Sequence, residues 1–172
     1  ILISNKENLK FHMKKLNFKK KLRIINFQEI NKIKINNKLI NIINVPNKNP
    51  KNLNSTKKFM TECFDIAFKL LKKKISYKFI NGPINKSKFL DKKFNGMTEY
   101  ISKKFKISNS AMLIYNKSLS VCPLTTHIPI KFVTKNITRK FIIQKTILIN
   151  NFFVKKIGIK PKIAVTGLNP HC

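Results

Sequence analysis

The chain opens on an apolar triplet, Ile1-Leu2-Ile3, followed by Ser4-Asn5-Lys6-Glu7, which has the Ser-x-x-Glu form of a helix capping box. Leu9, Met13 and Leu16 then fall at i, i+4 and i+7, so the pattern predicts a strand tail leading into a short amphipathic helix with His12 beside its stripe. Residues 22–26 and 33–45 are rich in Ile with polar residues between, and Asn36-Asn37 offers a turn inside the second segment. These predict strands with a hairpin. A loop with two prolines follows, and Asn54 or Ser55 is placed to cap a helix whose apolar positions Phe59, Cys63, Ile66, Ala67 and Leu70 keep helical spacing through Lys72. Further on, residues 77–80 and 162–166 read as strands, 111–115 and 119–122 as paired strands, and 98–105 and 138–153 as helices. Helices alternating with strands predict an α/β architecture.

Composition changes this picture little. Of 172 residues 42% are hydrophobic, enough for a core, and the charged residues are interspersed among Ile, Leu and Phe. No run reaches the roughly 18 uninterrupted apolar residues of a membrane span. The net charge of +31 invites a nucleic-acid reading, but Arg23 and Arg139 are the only arginines among 37 basic residues. Phosphate recognition favours the bidentate arginine fork. Lys, Asn, Ile and Phe make up more than half of the chain, and their AT-rich codons trace the charge to base composition. Cys63, Cys122 and Cys172 form no CxxC pair, which argues against a zinc finger or disulfide framework. With no initial Met, and with a polar loop just before Cys172, the chain is expected to be a fragment at both ends.

Candidate chemistry gathers in polar blocks around glycine and histidine: Gly82-Pro83-Ile84-Asn85-Lys86, Gly96-Met97-Thr98-Glu99, Thr125-Thr126-His127-Ile128-Pro129 and Gly167-Leu168-Asn169-Pro170-His171. Each glycine could be a plain turn, and two histidines are too few for a metal site, which takes at least three protein ligands. In order and spacing, however, the four blocks resemble the 4-hydroxythreonine-4-phosphate dehydrogenase family of vitamin B6 synthesis. The Gly-Leu-Asn-Pro-His and Thr-Thr-His-hydrophobic-Pro blocks carry that resemblance most specifically.

The resemblance implies a partial isocitrate/isopropylmalate dehydrogenase-like α/β/α fold. Residues 1–80 would be part of a first α/β domain lacking its opening strand, and 81–172 a substrate and metal-loop region leading into a C-terminal half. It implies a cytoplasmic homodimer that uses NAD and a divalent metal (Zn, Mg, Mn or Co) to oxidise 4-phosphohydroxythreonine to a β-keto acid that decarboxylates. His127 and His171 would be metal ligands, with the third ligand outside this chain. The ion would polarise the alcohol oxygen and later stabilise the enolate. Thr98 matches the family's substrate-binding Thr and Lys86 a Lys of its substrate-side loop. No catalytic residue is assigned to this chain, and most nicotinamide contacts would lie outside it. Two positions depart from the pattern: Met97 stands where the family's Gly-His-Thr-Glu block has His, removing a polar contact to substrate, and Asn85 stands at a position that is His in some members. A fragment alone is expected to be inactive. The competing readings are a small Lys-rich RNA-binding or ribosomal protein, for which no RNP-type block or Arg-rich arm is present, and a non-catalytic scaffold, which Met97 alone supports.

Overall fold

The structure, a computed structural model, describes residues 1–90 and 93–169. The chain divides into two compact units, Ile1–Phe89 and Leu90–Cys172.

The first unit is built on a three-stranded parallel sheet of β1 (Leu2–Ser4), β2 (Leu22–Ile24) and β3 (Ile40–Asn44), in the order β1-β3-β2. Leu2 and Ile24 flank Ile42 on its two sides. Asn41, Ile42 and Ile43 are buried in succession, so both faces of β3 are covered, as expected of a parallel sheet. Helix α1 (Lys6–Lys15) follows β1. Its start is tied to the end of β3, where Lys6 N donates to Asn44 Oδ1 at 2.8 Å and Asn5 Nδ2 to the Val45 carbonyl at 3.3 Å. Helix α2 (Leu53–Lys72) places Leu70 in a core with Ile25, Ile30 and Ile43. An aromatic cluster extends that core: the Phe64 ring lies 5.1 Å from Phe89 and 5.7 Å from Phe68 and Phe79. The short helix α3 (Lys86–Leu90) supplies Phe89.

Residues of the second unit form α4 (Met97–Phe105), α5 (Val133–Asn136) and α6 (Arg139–Phe152), the last running into a π turn over Phe153–Ile157 that Gly158 ends at φ +80°. Thr138 caps α6 by accepting from Phe141 N at 3.2 Å. No helix among the described residues is long and apolar enough to cross a membrane.

Several predicted details are corrected. Asn5 caps α1 in place of Ser4, and Asn52 caps α2 in place of Asn54 or Ser55, because their side chains reach Asn8 N and Ser55 N respectively. The hairpin at Asn36-Asn37 does not form. Both edges of β3 are occupied by parallel neighbours, which leaves no edge for a strand drawn from residues 33–39. Asn36 still makes a turn, accepting from Lys38 N at 3.0 Å while the buried Asn41 side chain donates to its carbonyl at 2.9 Å. Residues 77–80 are not a strand: Phe79 enters the aromatic cluster, but Tyr77 and Ile80 stay exposed and no ladder holds the segment. Residues 162–166 likewise run without a ladder partner among the described residues. The pairing of 111–115 with 119–122 reduces to a single antiparallel bridge, Ile114 to Val121, because the intervening residues curl around the Asn116 and Ser120 side chains.

Candidate functional site

Helix α4 begins abruptly. Gly96 occupies the cap with no side chain to offer, in an extended conformation (φ −168°, ψ −178°), and its carbonyl accepts from Tyr100 N at 3.2 Å. Buried Tyr100 meets Phe94 edge to face at 5.3 Å and anchors the helix start. Met97, Thr98 and Glu99 therefore form a fixed, half-buried first turn. The negative carboxylate of Glu99 sits where the helix dipole favours it.

The Thr-Thr-His block approaches this turn after the Ile114–Val121 bridge. Thr126 Oγ1 donates to Glu99 Oε1 at 3.5 Å. The next residue, His127, is exposed and takes φ +55°, a left-handed conformation it shares with Asn17, Lys74 and Lys106. A Cβ placed on Gly96 would lie 2.9 Å from Glu99 Oε2 and 3.8 Å from His127 Nε2. The carboxylate and imidazole thus converge over the one position in the turn with no side chain.

Of the residues expected at the site, the structure brings Met97, Thr98 and His127 into one unit. Lys86 is exposed at the start of α3 among the residues of the first unit, where Asn85 caps the turn by accepting from Lys88 N at 3.1 Å. His171 lies outside the described residues, and Gly167, Leu168 and Asn169 before it are exposed. Among the described residues no group of three or more His, Cys, Asp or Glu side chains gathers to hold a metal. His127 offers an imidazole nitrogen, a donor type that suits zinc, and its Nε2 stands beside the open Gly96 position. This donor fits a divalent ion as one ligand of a larger set.

Cys63 and Cys122 are not candidate nucleophiles. Burial, with the Glu62 carboxylate beside it, pushes the Cys63 thiol up from 9.0 to about 11, and burial raises Cys122 against the opposing influence of Lys145. Lys145 itself is a buried cation that sequence reasoning passed over. Its ammonium donates to the Ser110 carbonyl and to Asn109 Oδ1, and lies 4.8 Å from the Phe141 ring centroid, which accounts for it structurally. Also missed were Glu99 and Thr126 as partners. Both stand inside the quoted motif blocks, but spacing alone does not show that the blocks meet.

Comparison with known proteins bears on the fold and the family. Two solved structures share the fold, a mixed α/β architecture of parallel sheet and helices: a putative 4-hydroxythreonine-4-phosphate dehydrogenase from Salmonella typhimurium (TM-score 0.77) and 4-hydroxythreonine-4-phosphate dehydrogenase from Klebsiella pneumoniae (TM-score 0.78). Each is 23% identical, and the match covers 98% of this chain but 55% and 54% of theirs. Curated relatives named 4-hydroxythreonine-4-phosphate dehydrogenase include one from Sulfurihydrogenibium sp., 45% identical over 92 residues (52% of this chain, 29% of the relative). Another, from Colwellia psychrerythraea, is 35% identical over 130 residues (71% and 39%). The chain spans about half the length of the solved relatives. The sequence profile of the family described as pyridoxal phosphate biosynthetic protein PdxA matches residues 1–172, and the chain belongs to that family.

Proposed function

We propose that the chain forms the substrate and metal-loop part of an NAD-dependent, divalent-metal-assisted 4-hydroxythreonine-4-phosphate dehydrogenase. The enzyme would oxidise the secondary hydroxyl of 4-phosphohydroxythreonine to a β-keto acid that loses carbon dioxide, in pyridoxal phosphate synthesis. It would be a cytoplasmic homodimer with the two-domain fold of the isocitrate dehydrogenases, residues 1–80 contributing to the first domain. The observation that carries this reading is the meeting of two family blocks, with Glu99, Thr126 and His127 gathered about Gly96.

In this reading Thr98 holds substrate through its hydroxyl on the fixed first turn of α4, and Lys86 attracts the substrate phosphate. Met97 gives the substrate an apolar wall where the family has a polar contact, which weakens binding and leaves the proton chemistry to other groups. His127 and His171 would hold the divalent ion. When bound, that ion supplies Lewis-acid polarisation of the substrate oxygen. Nicotinamide contacts are assigned to no residue here.

The test is replacement of His127 or His171 by Ala in the full-length gene product. Metal-dependent NADH formation, followed by absorbance, is expected to fall to background with the circular dichroism unchanged. Turnover at the wild-type rate in the H171A protein would overturn the assignment.

A further inference from the structure

The first unit carries a crevice whose residues belong to none of the four motif blocks. Along α1, Lys6, Lys10 and Met13 fall at i, i+4 and i+7 and share one face of the helix. The helix ends in a tight reversal. Asn17 takes φ +49° and Phe18 N donates to the Met13 carbonyl at 2.9 Å, which turns the chain back through Lys20 into β2. Leu22 and Ile24, two residues apart on that strand, present their side chains to one face of the sheet. Strand β2 stands at the sheet edge, and between it and α1 remains a crevice of about 490 Å³ lined by Lys6, Lys10, Met13, Lys20, Leu22 and Ile24. That volume is within the range of small-molecule sites.

Three ammonium groups line this crevice against one nearby carboxylate, Glu7, whose Oε1 lies 4.0 Å from both Lys6 Nζ and Lys10 Nζ. Exposed pairs of that length hold weakly, and Lys20 makes no hydrogen bond or ion pair among the described residues. Two positive charges are left over. On the apolar side Ile24 is 54% exposed, a large side chain left to water. We propose that the crevice binds a phosphomonoester carrying a compact apolar group. The phosphate, with a charge of about −1.5 to −2 at neutral pH, takes the three ammonium groups, and the apolar part covers Met13, Leu22 and Ile24. A carboxylate would offset only one of the two charges. Lysine binds phosphate as a point charge, without the planar selectivity of arginine, so the apolar wall supplies the discrimination. This site does not depend on the dehydrogenase reading.

The experiment is equilibrium dialysis of 1-naphthyl phosphate against the full-length gene product at about 0.15 M salt, beside 1-naphthol and inorganic phosphate. The variants are K10Q/K20Q and, as a control for diffuse lysine charge, K155Q/K156Q in the second unit. All four lysines are exposed, so both variants are expected to fold, and far-UV circular dichroism checks that they do. The expected result is saturable uptake of the ester, about 10- to 100-fold weaker in K10Q/K20Q and within about twofold of wild type in K155Q/K156Q, with naphthol and inorganic phosphate each at least about 10-fold weaker than the ester. Equal losses in the two variants would assign the uptake to general lysine charge and overturn the proposal. Unchanged uptake in K10Q/K20Q, or none that saturates in wild type, overturns it as well. Inorganic phosphate binding as tightly as the ester would remove the apolar wall from the site and refute the ligand class. Where the ester binds as expected, its displacement by phosphatidate vesicles identifies the natural ligand as a lipid, and a lack of displacement as a soluble phosphomonoester.

Discussion

Ile42 is the residue on which the first unit turns. It is 0% exposed, sits at the middle of the central strand, and is flanked in register by Leu2 and Ile24. Ile42→Ala removes three buried carbons, worth roughly 0.8 kcal/mol each in transfer free energy. The neighbouring strands are held by ladder hydrogen bonds and cannot close on the cavity, so the total is expected at about 3–4 kcal/mol, within the observed range of such truncations. Ile24→Ala is the internal control. Ile24 lies beside Ile42 in the sheet but is 54% exposed, so the same truncation should cost less than about 1 kcal/mol. The chain has no Trp, and urea unfolding is best followed by far-UV circular dichroism. With m near 2 kcal/mol/M, Ile42→Ala should lower the midpoint by about 1.5–2 M and Ile24→Ala by under about 0.5 M. Equal shifts for the two variants would refute the assignment of Ile42 to a closed core between two parallel neighbours.

Three further outcomes are expected. Cys63 should alkylate with iodoacetamide at pH 9 much more slowly in the native protein than in urea, because its folded thiol ionises only near 11. Since that value is raised above the ordinary 9.0, the folded state keeps a proton the unfolded state loses, and stability should fall as pH rises from 9 towards 11. Thr138→Ala should lower stability by about 1 kcal/mol and Thr138→Ser by much less in thermal melts, since the cap at Phe141 N needs only a hydroxyl. Retention of the protein on mixed RNA should disappear between about 50 and 200 mM salt, as for diffuse lysine charge. Affinity persisting above that range with a sequence preference would favour the RNA-binding alternative.

The helices were legible in the sequence because their apolar spacing is local: α6 lies within a residue of its predicted bounds, and α2 ends at Lys72 as predicted while starting two to three residues earlier. Strands were legible only where a partner exists. Residues 40–44 and 162–166 both read as strands, but the first is paired on both sides and the second has no ladder among the described residues. Propensity reports fitness for a pleated surface and is silent about whether that surface is built. At the site, His127 and Thr98 could be named from motif blocks, whereas the bare Gly96 between Glu99 and His127 is a tertiary juxtaposition of residues some 30 positions apart.

The strand order β1-β3-β2 also fixes a timetable. During synthesis β1 and β2 leave the ribosome before β3, and neither pairs with the other. Both must wait for residues 40–44 before any ladder forms. Until then α1 is the ordered element with a local hydrogen-bond supply. A nascent chain arrested before residue 40 therefore carries β1 and β2 without the partner strand they share, exposed apolar chain of the kind that chaperones hold.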